Sequence, residues 1–76
     1  MKTYKVTVDK HGTTRWYNLQ GQLHNEHGPA SIYTSGDKSW YLNGKLHRED
    51  GPAIECVDGY KSWYLNGNRL TDQQVV

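Results

Sequence analysis

The chain has 76 residues, enough for one domain but near the size at which a single core supplies only about 3–5 kcal/mol. It contains no phenylalanine, one methionine, three tryptophans and six tyrosines, so its large apolar groups are mostly amphipathic rings. Nine Lys/Arg against eight Asp/Glu leave a net charge of +1 with the signs interspersed, which argues against nucleic acid or an anionic membrane as the partner. A local basic patch of Lys38, Lys45, Arg48, Lys61 and Arg69 stays open as an alternative to a mixed solvated surface.

The opening MKTYKVTV lacks the apolar stretch of a signal peptide, and no apolar run approaches the ~18 residues of a membrane span. The single cysteine, Cys56, cannot form an internal disulfide, which fits a reducing compartment. These features place the chain in the cytoplasm. Lys5-Val6-Thr7-Val8 alternates and leads to His11-Gly12, the strand half of a degenerate opening repeat that caps the array.

Trp16-Tyr17 begins a phrase that returns at Trp40-Tyr41 and Trp63-Tyr64, and a fixed period in this range marks a repeat architecture. Each tryptophan has a glycine four residues before it, at Gly12, Gly36 and Gly59. The spacing predicts an all-β fold of about three tandem β-hairpin repeats, an elongated and twisted antiparallel sheet with little or no helix. One repeat domain covers 1–76: a capping strand over 1–15, repeats over 16–39 and 40–62, and a partial repeat with tail over 63–76.

In Ser39-Trp40-Tyr41-Leu42, Trp40 and Leu42 share one face while Ser39 and Tyr41 take the other. Asn43-Gly44 then predicts a type I′ hairpin, repeated at Asn66-Gly67 and weaker at Gln20-Gly21. Lys45-Leu46-His47 is the return strand, and Gly28-Pro29 and Gly51-Pro52 are turns because proline cannot continue a ladder. Further strands follow over Ala30 to Tyr33 and Ala53 to Val57. The first copy holds one residue more than the second, which would throw Leu19 onto the wrong face; a β-bulge that restores it is expected. Trp16, Trp40 and Trp63 are read as the core, with Gly44 and Gly67 as structural turn residues and Cys56 as a small buried residue. At the end, Thr71-Asp72-Gln73-Gln74 has the spacing of a helix capping box, with room for one turn at most.

The run Tyr41-Leu42-Asn43-Gly44-Lys45-Leu46-His47, followed by Gly51 and Asp58-Gly59, resembles a divergent MORN-type repeat over roughly residues 6–70. Gly-Pro-Ala at 28–30 and 51–53 departs from the commoner Gly-x-Gly, and this variant is similar to small proteins of bacteria and tailed bacteriophages. The resemblance implies hairpins stacked into an elongated sheet and a binding or scaffolding role. It implies no catalytic residues that could be transferred.

Two histidine clusters, His24-Asn25-Glu26-His27 and His47-Arg48-Glu49-Asp50, carry the residue types of a zinc site, which needs three or four converging ligands. Their recurrence favours structural histidines that hydrogen-bond backbone at the hairpin ends, so no catalytic residue, metal or cofactor is expected. Tyr17, Tyr41 and Tyr64, one residue after each tryptophan, form a row on the opposite face. With Lys38, Lys61 and Arg48 they are the candidate binding residues, suited to a protein interface or to stacked bases. The expected function is non-enzymatic binding by occupancy: a small phage-type inhibitor that blocks a host protein, one of an anti-phage defence system being the most concrete case. The alternatives are a sponge that sequesters a small nucleotide signal between rings and, on the histidines alone, a metal-dependent hydrolase. Two poorly protected sheet edges add the expectation of a homodimer.

Overall fold

Two kinds of glycine turn organise the fold. At Asn43-Gly44 and Asn66-Gly67 both positions hold positive φ, 51° and 83° in the first and 52° and 83° in the second. This is the type I′ geometry whose twist matches that of the strands it joins. The other kind ends at Gly12, Gly36 and Gly59. There the glycine N–H donates to the carbonyl three residues earlier, on Asp9, Tyr33 and Cys56, at 2.9–3.0 Å, and the glycine itself takes positive φ. That is a three-residue loop closed by a left-handed bulge.

The computed structural model describes residues 5–71, and among them there are ten short strands and no helix. They are β1 (Lys5–Val8), β2 (Thr14–Tyr17), β3 (Ser31–Ile32), β4 (Lys38–Ser39), β5 (Tyr41–Leu42), β6 (Lys45–Leu46), β7 (Ile54–Glu55), β8 (Lys61–Ser62), β9 (Tyr64–Leu65) and β10 (Asn68–Arg69). The fold is all-β and antiparallel throughout. One sheet runs β1-β2-β3-β4-β7-β8, and two hairpins, β5-β6 and β9-β10, lie outside it. The molecule measures 37 × 28 × 16 Å. The capping-box reading at Thr71 to Gln74 lies largely outside the described residues.

Trp40 and Trp63 each sit where one continuous chain passes from the large sheet into a hairpin, β4 into β5 and β8 into β9, while Trp16 lies within β2. The backbone on either side of that corner is fully engaged. Trp40 N–H donates to Ala53 C=O at 2.7 Å, and Trp40 C=O accepts from His47 N–H at 3.0 Å. Trp16 does the same with Ala30 and His24. Ala30 and Ala53 in turn donate to Ser39 and Ser62, so each alanine is clamped between two tryptophan-bearing strands and is 0% exposed. A larger side chain has no room there, which gives the Gly-Pro-Ala phrase its physical sense. Successive hairpins are also bonded to each other, through Gly44 N–H to Leu23 C=O and Gly67 N–H to Leu46 C=O.

Three sequence expectations are corrected. The tryptophans are half-buried, and the fully buried residues are small or polar: Ala30, Ala53, Ser31, Ser62, Asn18 and His24. A sheet this small has too little material to enclose an indole on every side, so the tight packing falls where strands converge. Cys56 is likewise half-buried. Its side chain stays at the margin, although desolvation, with Asp37 and Asp58 behind it, still raises the thiol pKa. Finally, the extra residue of copy one does form a bulged turn, over Asn18 to Gln22, but that turn does not return Leu19 to the core. Leu19 is 71% exposed and Asn18 takes the inward place. Asn18 can do so because its side chain is satisfied on all sides, accepting from Gln20 and Gln22 N–H and donating to Gln22 and Asn43.

Gly44→Val and Gly67→Val are each expected to cost more than about 1 kcal/mol, because a β-branched side chain is strained at positive φ. An added Cβ would also meet Gln22 Cβ at 3.4 Å in the first case and Lys45 Cβ at 3.6 Å in the second. Gly21, at the weaker turn of copy one, differs from these two in space alone. Nothing lies within 4 Å of a Cβ there, yet its φ of 81° imposes the same backbone strain. Urea melts of the three variants check this, and uniformly small losses would contradict the turn geometry.

Candidate functional site

The two faces of the sheet carry different chemistry. On one face the cross-strand row Arg15–Ser31–Ser39–Ile54–Ser62 forms the floor. Strand alternation sends Tyr17, Tyr33, Tyr41 and Tyr64 to this same side. Tyr17, Tyr41 and Tyr64 are half-buried, and Tyr33 is 41% exposed. Burial raises the pKa of the Tyr41 hydroxyl, and Tyr33 and then Tyr64 add to the effect. Arg15 stands at the end of the row. Its bond to Asp9 Oδ2 at 3.0 Å is the main reason its pKa is raised, with Tyr17 and Tyr33 near enough to contribute. The Asp9 carboxyl is held below its usual range, first by the Thr13 N–H and then, against burial, by Arg15 and His11.

On the other face the row is Thr14–Ile32–Lys38–Glu55–Lys61. Lys38 and Lys61 are exposed and flank Glu55 from adjacent strands. Arg48 reaches the same Glu55 at 3.2 Å, donates to Asp50 at 2.9 Å and to Pro52 C=O at 3.1 Å, and lays its guanidinium 3.9 Å over the Trp40 ring. The six candidate binding residues therefore divide. Tyr17, Tyr41 and Tyr64 share one face; Lys38, Lys61 and Arg48 gather on the opposite one.

Beside Arg48 lies an open groove of about 570 Å³, floored by Trp40 and Leu42. Its walls are residues 25–29, which include the Gly28-Pro29 turn, and residues 47–50, which precede the Gly51-Pro52 turn. Sequence reasoning missed this groove, because the side-chain directions of a turn follow no period. The part that was legible is the floor, since Trp40 and Leu42 alternate with Tyr41.

His24 and His47 hydrogen-bond backbone groups, the arrangement that their repetition suggested. His24 Nδ1 accepts from Asn43 N–H at 2.9 Å, and His47 Nδ1 accepts from Asn66 N–H at 3.0 Å. With Nδ1 an acceptor, the ring proton sits on Nε2 and faces Glu26 in one copy, at 3.3 Å, and Glu49 in the other, at 3.4 Å. Each histidine thus ties its own copy to the Asn-Gly turn of the next. Among the described residues no three His, Cys, Asp or Glu side chains converge as a metal site would require. Among the same residues no helix is long and apolar enough to cross a membrane.

No family model matches the chain, and neither a curated protein nor a solved structure does.

Proposed function

We propose that this chain is a non-enzymatic binding protein of divergent MORN-like type that acts in the cytoplasm by occupying a site on a protein partner. The observation that carries the reading is the tyrosine face. Strand alternation turns Tyr17, Tyr33, Tyr41 and Tyr64 to the same side as Arg15, and none of them is fully buried. Tyrosine and arginine are the side chains that anchor protein interfaces, because their apolar bodies bury well and their polar tips tolerate a wet rim. The repeat resemblance favours the phage-type inhibitor of a host protein as its most concrete form. Exposed Val6 and Val8, at 54% and 67%, on the edge strand β1 favour self-association as well, in a homodimer.

The test compares the wild-type chain with the double variant Tyr17→Ser, Tyr64→Ser as bait for proteins of the native host, with light scattering on both. One host protein should be retained by the wild type and bound at least about 10-fold more weakly by the variant, whose melt should change little. Equal retention by both would sink the reading. Tight calorimetric binding of a cyclic nucleotide to the wild type alone would move the function to ligand sequestration. A monomer at high micromolar concentration would remove the dimer and leave the tyrosine face to the outside partner.

A further inference from the structure

The chain carries one strand edge twice, once covered and once open. Lys-Ser-Trp-Tyr-Leu-Asn-Gly occurs at 38–44 and again, residue for residue, at 61–67. The two copies fold alike, with Lys38–Ser39 as β4 and Lys61–Ser62 as β8. β4 lies inside the large sheet between β3 and β7, whereas β8 is its last strand. What covers β4 therefore shows what the same residues in β8 are shaped to accept.

The cover on β4 is the segment Ala53-Ile54-Glu55. Trp40 N–H donates to Ala53 C=O at 2.7 Å, Ser39 lies opposite Ile54, and Lys38 lies opposite Glu55. Backbone groups of an antiparallel strand alternate between its two edges, so Lys38 and Trp40 address β7 while Ser39 addresses β3. In β8 the inner edge is taken in the same way, with Ser62 C=O accepting from Ala53 N–H at 2.9 Å. The outer edge carries the backbone groups of Lys61 and the Trp63 N–H, and it meets no strand among the described residues.

Two side-chain observations agree. Lys38 and Lys61 flank Glu55, whose carboxylate also takes Arg48 at 3.2 Å. Lys61 is exposed and forms no ion pair among the described residues, so a cation stands at the outer edge with no carboxylate beyond it. The turn glycines repeat the contrast. A Cβ on Gly12 would meet Thr34 Cγ2 at 2.6 Å, and one on Gly36 would meet Val57 Cγ1 at 2.8 Å, because the next hairpin packs against each turn. At Gly59 no described residue comes within 4 Å.

We propose that the open edge of β8 takes an extended segment of a protein partner as an added antiparallel strand, with a carboxylate side chain opposite Lys61 and a backbone carbonyl on the Trp63 N–H. Main-chain bonds hold such a strand, and the side chains that face the edge select it. Charge decides against a second copy as the occupant. Its edge strand β1 sets Val8 where Glu55 stands in β7, each four residues before the turn glycine. One bond of the internal pair is not offered to the partner. Tyr60 replaces Asp37, whose Oδ1 accepts from Val57 N–H at 2.9 Å.

The experiment is a two-dimensional NMR titration of the whole chain with a capped peptide of residues 51–57 carrying Cys56→Ser, the segment that covers β4. Amide shifts should centre on Lys61 and Trp63, with a dissociation constant near or below about 1 mM. Amide exchange at these two residues should be fast in the free chain and slow with the peptide. The same peptide with Glu55→Lys should bind about 5-fold more weakly, and Lys61→Glu in the protein should reverse that preference. Methylating the Glu55 nitrogen of the peptide removes the donor aimed at Lys61 C=O and should cost at least about 10-fold. Methylating the Ile54 nitrogen, on the far edge of the added strand, should cost little. If Lys61→Glu loses its dispersed spectrum, the two methylated peptides carry the comparison on the wild type. Host-protein capture reads the tyrosine row, so the two surfaces fail or hold separately. Absence of shifts, shifts centred on Lys38 and Trp40 or on Tyr17 and Tyr33, equal binding of the glutamate and lysine peptides, or equal binding of the two methylated ones would each overturn the proposal. Concentration-dependent shifts at Lys61 and Trp63 without peptide would give the edge to a second copy and overturn it as well.

Discussion

Trp40→Ala is expected to leave the chain unfolded or close to its midpoint at room temperature, and to cost more than Trp16→Ala or Trp63→Ala. Truncating a large buried aromatic costs about 3–5 kcal/mol. Trp40 is half-buried, so its own transfer and cavity cost falls toward the lower end of that range. Two further losses restore it. The indole is the surface on which Arg48 stacks, and a cation over a ring contributes about 0.5–1 kcal/mol at an exposed site. Freed from the ring, Arg48 also holds Glu55, Asp50 and Pro52 C=O less well, and the Glu55 bond ties the segment after the β5-β6 hairpin to β7 of the large sheet. Trp40 moreover stands in the middle copy, with neighbours on both sides, whereas each outer tryptophan has one inner neighbour. A domain of this size has only about 3–5 kcal/mol to lose. Urea melts followed by far-ultraviolet circular dichroism check the order of the three variants. A Trp40→Ala protein as stable as Trp63→Ala would show that the corner tryptophans do not carry the array.

The turns were the most legible part of the sequence, because backbone geometry is written in single residues there. Asn-Gly names a type I′ turn by itself, and the glycine four residues before each tryptophan marks where a hairpin of the large sheet reverses. Alternation through Ser39-Trp40-Tyr41-Leu42 correctly separated the tyrosine face from the tryptophan face. The same alternation would have placed Lys38 with Trp40, since they are two residues apart, and so would have parted the lysines from the tyrosines. Burial was less legible. Apolar size pointed to the indoles as the enclosed core, yet the enclosed places went to Ala30, Ala53 and serines, because close approach of strands selects small residues. Leu19 shows the limit of reading hydrophobicity alone. Its neighbour Asn18 displaced it from the inward position by satisfying four hydrogen bonds at once. The groove was beyond reach, since it is built by residues 25–29 and 47–50 of successive copies, which meet only after the hairpins stack.

His24→Ala is expected to cost about 2–4 kcal/mol, more than any surface change on the chain and more than His47→Ala. His24 is 2% exposed, so its removal leaves a void as well as broken bonds. The bond that matters most is the one from Asn43 N–H to Nδ1 at 2.9 Å. Asn43 has a φ of 51°, held in place by the turn it opens, and an orphaned N–H there costs about 1–3 kcal/mol where water cannot replace the ring. Water can do so more readily in the next copy. His47 is 10% exposed at its side chain, and its bond to Asn66 lies at an exposed turn, so His47→Ala should cost only about 1 kcal/mol. A pair of conservative variants separates the bond from the volume. His24→Asn places an amide oxygen near the Nδ1 position and should recover part of the loss, whereas His24→Gln reaches toward Nε2 and should not. Chemical melts give the energies, and hydrogen exchange at the Asn43 amide reads the bond directly. It should exchange fast in His24→Ala and His24→Gln and slowly in the wild type and His24→Asn. Equal loss of protection in the asparagine and glutamine variants would mean that His24 stabilises the stack by filling space, with its acceptor nitrogen incidental.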